Sequence, residues 1–96
     1  MTLSPALERF ATLIADNVVS AYIRESESSR GLGLPVREIV VSRLAHALLR
    51  VLPTDDGAFL ATTCNFTLAD TLGGMDTRGP RVEMVDPDDG SVTMRA

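Results

Sequence analysis

The chain holds one histidine, His46, and one cysteine, Cys64, and these are its first candidates for chemistry. Ser42 stands four residues before His46, so on a helix the two side chains could touch as a serine–imidazole pair. Nothing nearby orients the imidazole or stabilises an oxyanion, as nucleophilic catalysis requires. Cys64 stands among threonine, leucine and phenylalanine, which is typical of a small buried hydrophobe. We therefore predict that the chain is not an enzyme; a small enzyme using Cys64 or His46 is the last of three hypotheses.

A second candidate is the strip Arg43, His46 and Arg50, which share one side of a predicted helix. Such a strip is typical of a solvated or carboxylate-binding face. The alternative hypothesis is a dimeric nucleic-acid-binding regulator that presents these three side chains to phosphates. The net charge of −4 argues against general nucleic-acid binding. The connection between the first two predicted helices is also several times longer than the turn of a helix-turn-helix unit.

The third candidate is the late stretch "VDPDDGSV", which carries Asp86, Asp88 and Asp89. A helix-loop-helix calcium loop beginning at Asp86 would place Gly90 at its fifth position, where an oxygen ligand is needed, so we predict no metal site. Pro87 and Gly90 instead suit a four-residue hairpin loop on a type I turn. The predicted pairs across this hairpin are Val85 with Val92, Met84 with Thr93, and Glu83 with Met94.

Charge is distributed unevenly along the chain. Residues from Asp55 onward carry eight of its 13 carboxylates but three of its nine arginines. A negative surface of this kind can steer a basic partner. The first hypothesis is therefore a small non-enzymatic protein-interaction module, acting as a regulator, inhibitor or accessory subunit. Its predicted partner-binding residues are Asp86, Asp88, Asp89 and Glu83, together with Val19 and Ile23, two apolar side chains on the polar side of the first helix.

Length and composition limit the remaining classes of fold and function. A chain of 96 residues is predicted to form a single domain, 1–96, with a helical half (1–52) and a strand half (58–96). One cysteine excludes an internal disulfide and a multi-cysteine zinc site, and no glycine-rich phosphate loop occurs, so we predict no cofactor. No apolar run is long enough to cross a membrane, and the N-terminus does not resemble a signal peptide. We expect a cytoplasmic protein.

The elements that position these residues follow from periodicity. Ser4-Pro5 is a favourable start for a first helix with its apolar face at 3.6-residue spacing. A second helix, ending near Val51 because of Pro53, has an apolar arc so wide that we predict it at the centre of the fold. The segment 58–66, rich in threonine and phenylalanine, predicts a strand, and 67–74 is ambiguous between strand and helical turn.

The predicted fold class is α+β: two N-terminal helices packed on a small antiparallel sheet, in the order ααβββ, ending in a β-hairpin. Such a sheet keeps one face and its edges uncovered. Together with the wide apolar arc of the second helix, this predicts a symmetric homodimer.

Overall fold

A computed structural model describes residues 4–25, 34–72 and 80–95. Within these ranges helices precede a β-hairpin, as predicted, but the helices number three and the antiparallel sheet has two strands rather than three. In chain order the elements are α1 (Pro5–Glu25), α2 (Leu34–Leu49), α3 (Gly57–Thr71), β1 (Arg81–Val85) and β2 (Val92–Arg95).

Helix α1 begins where the sequence predicts. The backbone N–H of Leu7 donates to Oγ of Ser4 at 3.4 Å, and the N–H of Glu8 donates to the Ser4 carbonyl at 3.0 Å. Ser4 therefore satisfies amides that the first helical turn would otherwise leave unpaired. The buried side of the helix consists of Ala11, Ile14, Ala15, Val18, Val19 and Ala21.

Helix α2 ends at Leu49, and a turn from Arg50 to Pro53 follows, in agreement with the stop predicted from Pro53. Its predicted central position is wrong. Helix α2 packs against α1 on one side and α3 on the other, while its outer side stays exposed at Ile39. The wide apolar arc thus serves two neighbouring helices rather than a surrounding fold, and α1 occupies the more buried position.

The segment 58–66 is helical, so the predicted strand there is wrong. Asp56 is the N-cap of α3: it has extended backbone, and its carboxylate accepts from the N–H of Phe59 at 3.1 Å. Thr62 and Thr63 donate their hydroxyls to carbonyls four residues earlier, at 3.1 and 3.0 Å, which satisfies them within the helix. The ambiguous stretch after residue 66 continues the helix to Thr71; Gly73 and Gly74 lie outside the described residues.

The hairpin confirms the predicted turn and most of the predicted register. Gly90 has a φ of +77°, and Val85 pairs with Val92 and Met84 with Thr93. The third predicted pair is wrong, because a bulge at Glu83 makes Val82 the partner of Met94. Bulges are set by local twist and packing, which the alternation of side chains does not encode.

The five elements form a ring around the core. Helix α1 contacts α2, α2 contacts α3, α3 contacts β1, and β2 returns to α1. Asn65 joins α3 to β1 through two hydrogen bonds, from its Nδ2 to the Val82 carbonyl at 2.8 Å and from the Val82 N–H to its Oδ1 at 2.9 Å. None of the helices in the described residues is both long and apolar enough to cross a membrane.

Candidate functional site

Five aspartates belong to two segments that meet beside Gly57, and we name this group the acidic end: Asp55, Asp56, Asp86, Asp88 and Asp89. They come from two segments, the connection before α3 and the hairpin turn. Asp55 and Asp86 line the same hollow beside Gly57. A Cβ at Gly57 would overlap the Val85 carbonyl oxygen, so glycine permits the start of α3 to approach the end of β1 this closely. The sequence predicted the turn carboxylates as a group, but not that Asp55 joins them.

The turn is tied together by its own acidic side chains. The Gly90 N–H donates to the Asp86 carbonyl, and the Asp86 N–H donates to the Ser91 carbonyl, both at 2.8 Å. Oδ1 of Asp86 accepts from the N–H of Asp88, and Oδ1 of Asp89 accepts from the N–H of Ser91, again at 2.8 Å. The backbone hydrogen bond from Ser91 lowers the pKa of Asp89 below its ordinary value of 3.8. The carboxylates of Asp86 and Asp89 are therefore held in place within the turn.

The turn is also docked on α1. Nδ2 of Asn17 donates to the Gly90 carbonyl at 2.9 Å, and Gly90 is buried. A Cβ at Gly90 would meet Phe10 at 3.2 Å and Ile14 at 3.3 Å. These contacts orient the hairpin turn, so the three turn aspartates have a defined position relative to the helices.

The acidic end does not gather its carboxylates into a chelating group. Across residues 4–25, 34–72 and 80–95, no group of three or more histidine, cysteine, aspartate or glutamate side chains is close enough to hold a metal ion. Within the same ranges, an ion pair joins Arg37 to Asp16, and it does not involve these aspartates. The acidic end is a surface of separate, solvated charges.

The other predicted partner residues lie elsewhere. Glu83 is exposed at the bulge of β1, apart from the turn. The prediction for Val19 needs correction, because Val19 has no exposed surface and belongs to the core. Ile23 is half-buried and packs against that core. Helix α1 is covered on more than one side, by α2 and by the hairpin, which explains why its apolar residues extend beyond one face.

Arg43, His46 and Arg50 lie on one wall of a groove of about 610 Å³ between α2 and α3, which we name the α2–α3 groove. The predicted strip is thus a coherent surface. The opposite wall contains Phe66 and Asp70. The sequence analysis did not place these two residues beside Arg43, His46 and Arg50, because it predicted the segment that carries Phe66 as a strand. The seven-residue spacing of Phe59 and Phe66 was the signal in the sequence that this segment is a helix.

Phe66 is 76% exposed. A phenylalanine contributes roughly 150–250 Å² when it is buried, so about 110–190 Å² of this ring faces water. At about 25 cal/mol per Å², covering that surface would contribute about 3–5 kcal/mol. Among the large apolar side chains that the structure describes as exposed, Phe66 has the highest exposed fraction.

His46 is engaged by its own helix rather than by a catalytic partner. Its Nδ1 lies 2.9 Å from the backbone carbonyl of Ser42, which can only accept, so Nδ1 carries the proton of this hydrogen bond. The imidazole therefore bonds the Ser42 backbone and not the Ser42 hydroxyl. His46 lies on the ridge between the α2–α3 groove and a second groove between α1 and α2 that contains Asp16 and Arg37.

Cys64 lies in the core, as predicted. It has no exposed surface, and burial raises the pKa of its thiol to about 12. A thiol with this pKa is protonated at neutral pH, and the protonated form is a poor nucleophile.

Comparison with protein-family models, with curated proteins and with solved structures finds no match to this chain. The acidic end and the α2–α3 groove are therefore the features on which a function can be proposed.

Proposed function

We propose that this chain is a small non-enzymatic protein-interaction module, a regulator, inhibitor or accessory subunit, whose acidic end binds a basic surface of another protein. The observation that carries the proposal is the convergence of Asp55 and Asp86 on one hollow, next to the exposed Asp88 and Asp89. Two segments that are distant in sequence contribute to one negative surface.

The rigidity of that surface favours binding. The turn is held by its internal hydrogen bonds and by Asn17, so the carboxylates of Asp86 and Asp89 lose little conformational freedom when a partner docks. Exposed charge pairs contribute only about 0.2–1 kcal/mol each. Several pairs together would therefore act mainly on the association rate and on partner choice, and both effects would weaken as salt increases.

A non-enzymatic role is supported by the placement of the candidate nucleophiles. Cys64 is buried with a raised pKa, and His46 is bonded to a backbone carbonyl. We place the module in the cytoplasm. One concrete form is an inhibitor that covers a nucleic-acid-binding surface of its partner, since such surfaces are basic.

The proposal includes a symmetric homodimer. The sheet has two strands, and Asn65 occupies the outer edge of β1, so the sheet edges give this dimer little support. The proposed dimer rests instead on the N-terminal part of α2, where Val36 is 40% and Ile39 is 52% exposed. Light scattering at micromolar concentration tests this part, and a mass near the 10.3 kDa of one chain would refute it.

The main experiment is capture of partners from the native host with three baits. Asp86→Asn, Asp88→Asn and Asp89→Asn, combined in one variant, remove three charges while keeping the side-chain oxygens that accept the turn hydrogen bonds. The matched control removes three charges elsewhere, through Glu8→Gln, Glu25→Gln and Glu38→Gln.

We expect the wild-type chain and the control to capture the same partner at low salt and to lose it at high salt. The triple asparagine variant should lose it at both. Equal capture by all three baits, with normal folding of each, would remove the acidic end from the proposal.

A further inference from the structure

The α2–α3 groove combines two properties that rarely coincide on a solvated surface. One wall carries cations, Arg43 and Arg50 with His46 between them, and the other carries the exposed ring of Phe66. An exposed apolar side chain next to a row of charges is typical of a protein-binding site, where an apolar anchor is covered and charged residues surround it.

The charge of the groove indicates the charge of its occupant. Two arginines face one aspartate, Asp70, so the groove is positive on a chain whose net charge is −4. A second copy placed symmetrically here would bring four guanidinium groups together against two carboxylates, which is unfavourable. An acidic occupant pairs with both arginines and meets no such repulsion.

The shape of the groove fits a short helix. One wall runs from Arg43 in α2 to Val51 in the turn that follows it, and the other runs from Thr62 to Thr71 within α3. At 1.5 Å per residue the α3 wall is about 14 Å long, which is between two and three helical turns. A helix of that length offers apolar side chains three or four residues apart for Phe66, and acidic side chains beside them for the arginines.

We propose that the α2–α3 groove binds an acidic amphipathic helix of a partner protein. Phe66 is covered by the apolar side of that helix, and Arg43 and Arg50 pair with its carboxylates. The site is separate from the acidic end, and it does not depend on the proposed function. A chain with both surfaces has the means to connect a basic protein with an acidic one.

Nucleic acid is the competing occupant. Phosphates would also pair with Arg43 and Arg50, and an exposed base could stack on Phe66. Two arginines neutralise few phosphates, however, and a phosphate backbone is charged at every nucleotide, whereas a helix can present an uncharged residue beside Asp70. The arrangement therefore favours the peptide, and the oligonucleotide becomes one arm of the test.

The test uses a displayed library of random peptides, selected on the whole wild-type chain at low salt. The most enriched peptide is then synthesised, and its affinity is measured by fluorescence anisotropy. The variants are Phe66→Ala and the pair Arg43→Glu with Arg50→Glu, all at exposed positions. The matched control is Arg9→Glu with Arg24→Glu, which makes the same charge change on exposed positions of α1.

We expect enriched sequences with acidic residues and with apolar residues at helical spacing. Phe66→Ala should weaken the peptide by about tenfold or more, as removal of a central aromatic anchor does, and the arginine pair should weaken it similarly. The control pair and the triple asparagine variant of the acidic end should bind as the wild type does. Loss of host-partner capture by that triple variant, with peptide binding intact, separates the two proposals.

The proposal is overturned if no peptide is enriched, if enriched peptides lack acidic residues, or if they bind the groove variants as tightly as the wild type. A mixed-sequence single-stranded oligonucleotide serves as competitor. If it binds more tightly than the peptide, and if Arg43→Glu with Arg50→Glu abolishes that binding, the groove is a nucleic-acid site instead.

Discussion

Replacement of Asn65 by alanine tests the contact that joins α3 to the hairpin. Asn65 both donates to the Val82 carbonyl and accepts from the Val82 N–H, at 2.8 and 2.9 Å. Its amide thus makes the two hydrogen bonds to Val82 that a neighbouring strand would otherwise make along the outer edge of β1. Val82 is only 3% exposed in the folded chain.

The expected magnitude follows from those two bonds. Each contributes about 0.5–1.5 kcal/mol net, and a buried group without a partner costs about 1–3 kcal/mol. Asn65→Ala should therefore lower the free energy of unfolding by about 2–4 kcal/mol, which is a large share of the 5–15 kcal/mol typical of a domain. Asn17→Ala is the matched control, because it removes a single hydrogen bond to the Gly90 carbonyl and should cost about 1 kcal/mol.

Urea unfolding followed by circular dichroism measures both variants. Asn65→Asp refines the test, since it keeps the acceptor for the Val82 N–H but places a carboxylate oxygen against the Val82 carbonyl. Contact with the Val82 carbonyl should raise the pKa of this carboxyl in the folded chain, so the variant's deficit relative to wild type should shrink as pH falls toward about 3.9 and be smallest below that pH, where the protonated carboxyl can donate. If Asn65→Ala costs no more than Asn17→Ala, the two bonds to Val82 do not hold the hairpin to α3.

Three further predictions concern the turn and the core. Gly90→Ala should destabilise the fold by about 2–4 kcal/mol, because alanine is strained at a φ of +77° and its Cβ would press on Phe10 and Ile14; thermal unfolding checks this. Cys64 should react with a thiol reagent at least about a hundredfold more slowly in the folded chain than in urea, and equal rates would contradict its burial. Asp89 should titrate below 3.8 in the folded chain, so its contribution to stability is present above that pH and is lost as pH falls through the lower folded pKa; an NMR titration of the carboxyl, with Asp89→Asn as control, measures this.

The hairpin was predictable from sequence because its determinants are local. The turn requires a restricted backbone at Pro87 and a permissive backbone at Gly90, and the sequence supplies both. Val85 and Val92, which flank the turn, then pair in register. The bulge at Glu83 was not predictable in this way. It lies next to Val82, which Asn65 of α3 hydrogen-bonds, and such long-range contacts cannot be read from the alternation of side chains along a strand.

Helix α3 shows that the intrinsic strand preference of its residues gives the wrong secondary structure where tertiary packing determines it. Threonine and phenylalanine favour strands, and the segment 58–66 contains both. The buried residues Leu60, Cys64 and Leu68 are nevertheless four apart, which is helical spacing, and Asp56 with Phe59 forms a local cap. A strand there would have removed Phe66 from the groove, so the error in secondary structure also concealed one wall of the candidate site.

The acidic end and the α2–α3 groove are close in space but distinct in electrostatic effect. Nine residues of α3 separate Gly57, beside the acidic end, from Phe66, which is about 13 Å along the helix. That distance exceeds the Debye length of about 8 Å at physiological ionic strength. Unscreened unit charges 13 Å apart in water interact by only about 0.3 kcal/mol, and salt reduces this further. Charges separated by that distance therefore change an affinity by less than about twofold per pair, and this supports the use of variants at one surface to report on that surface.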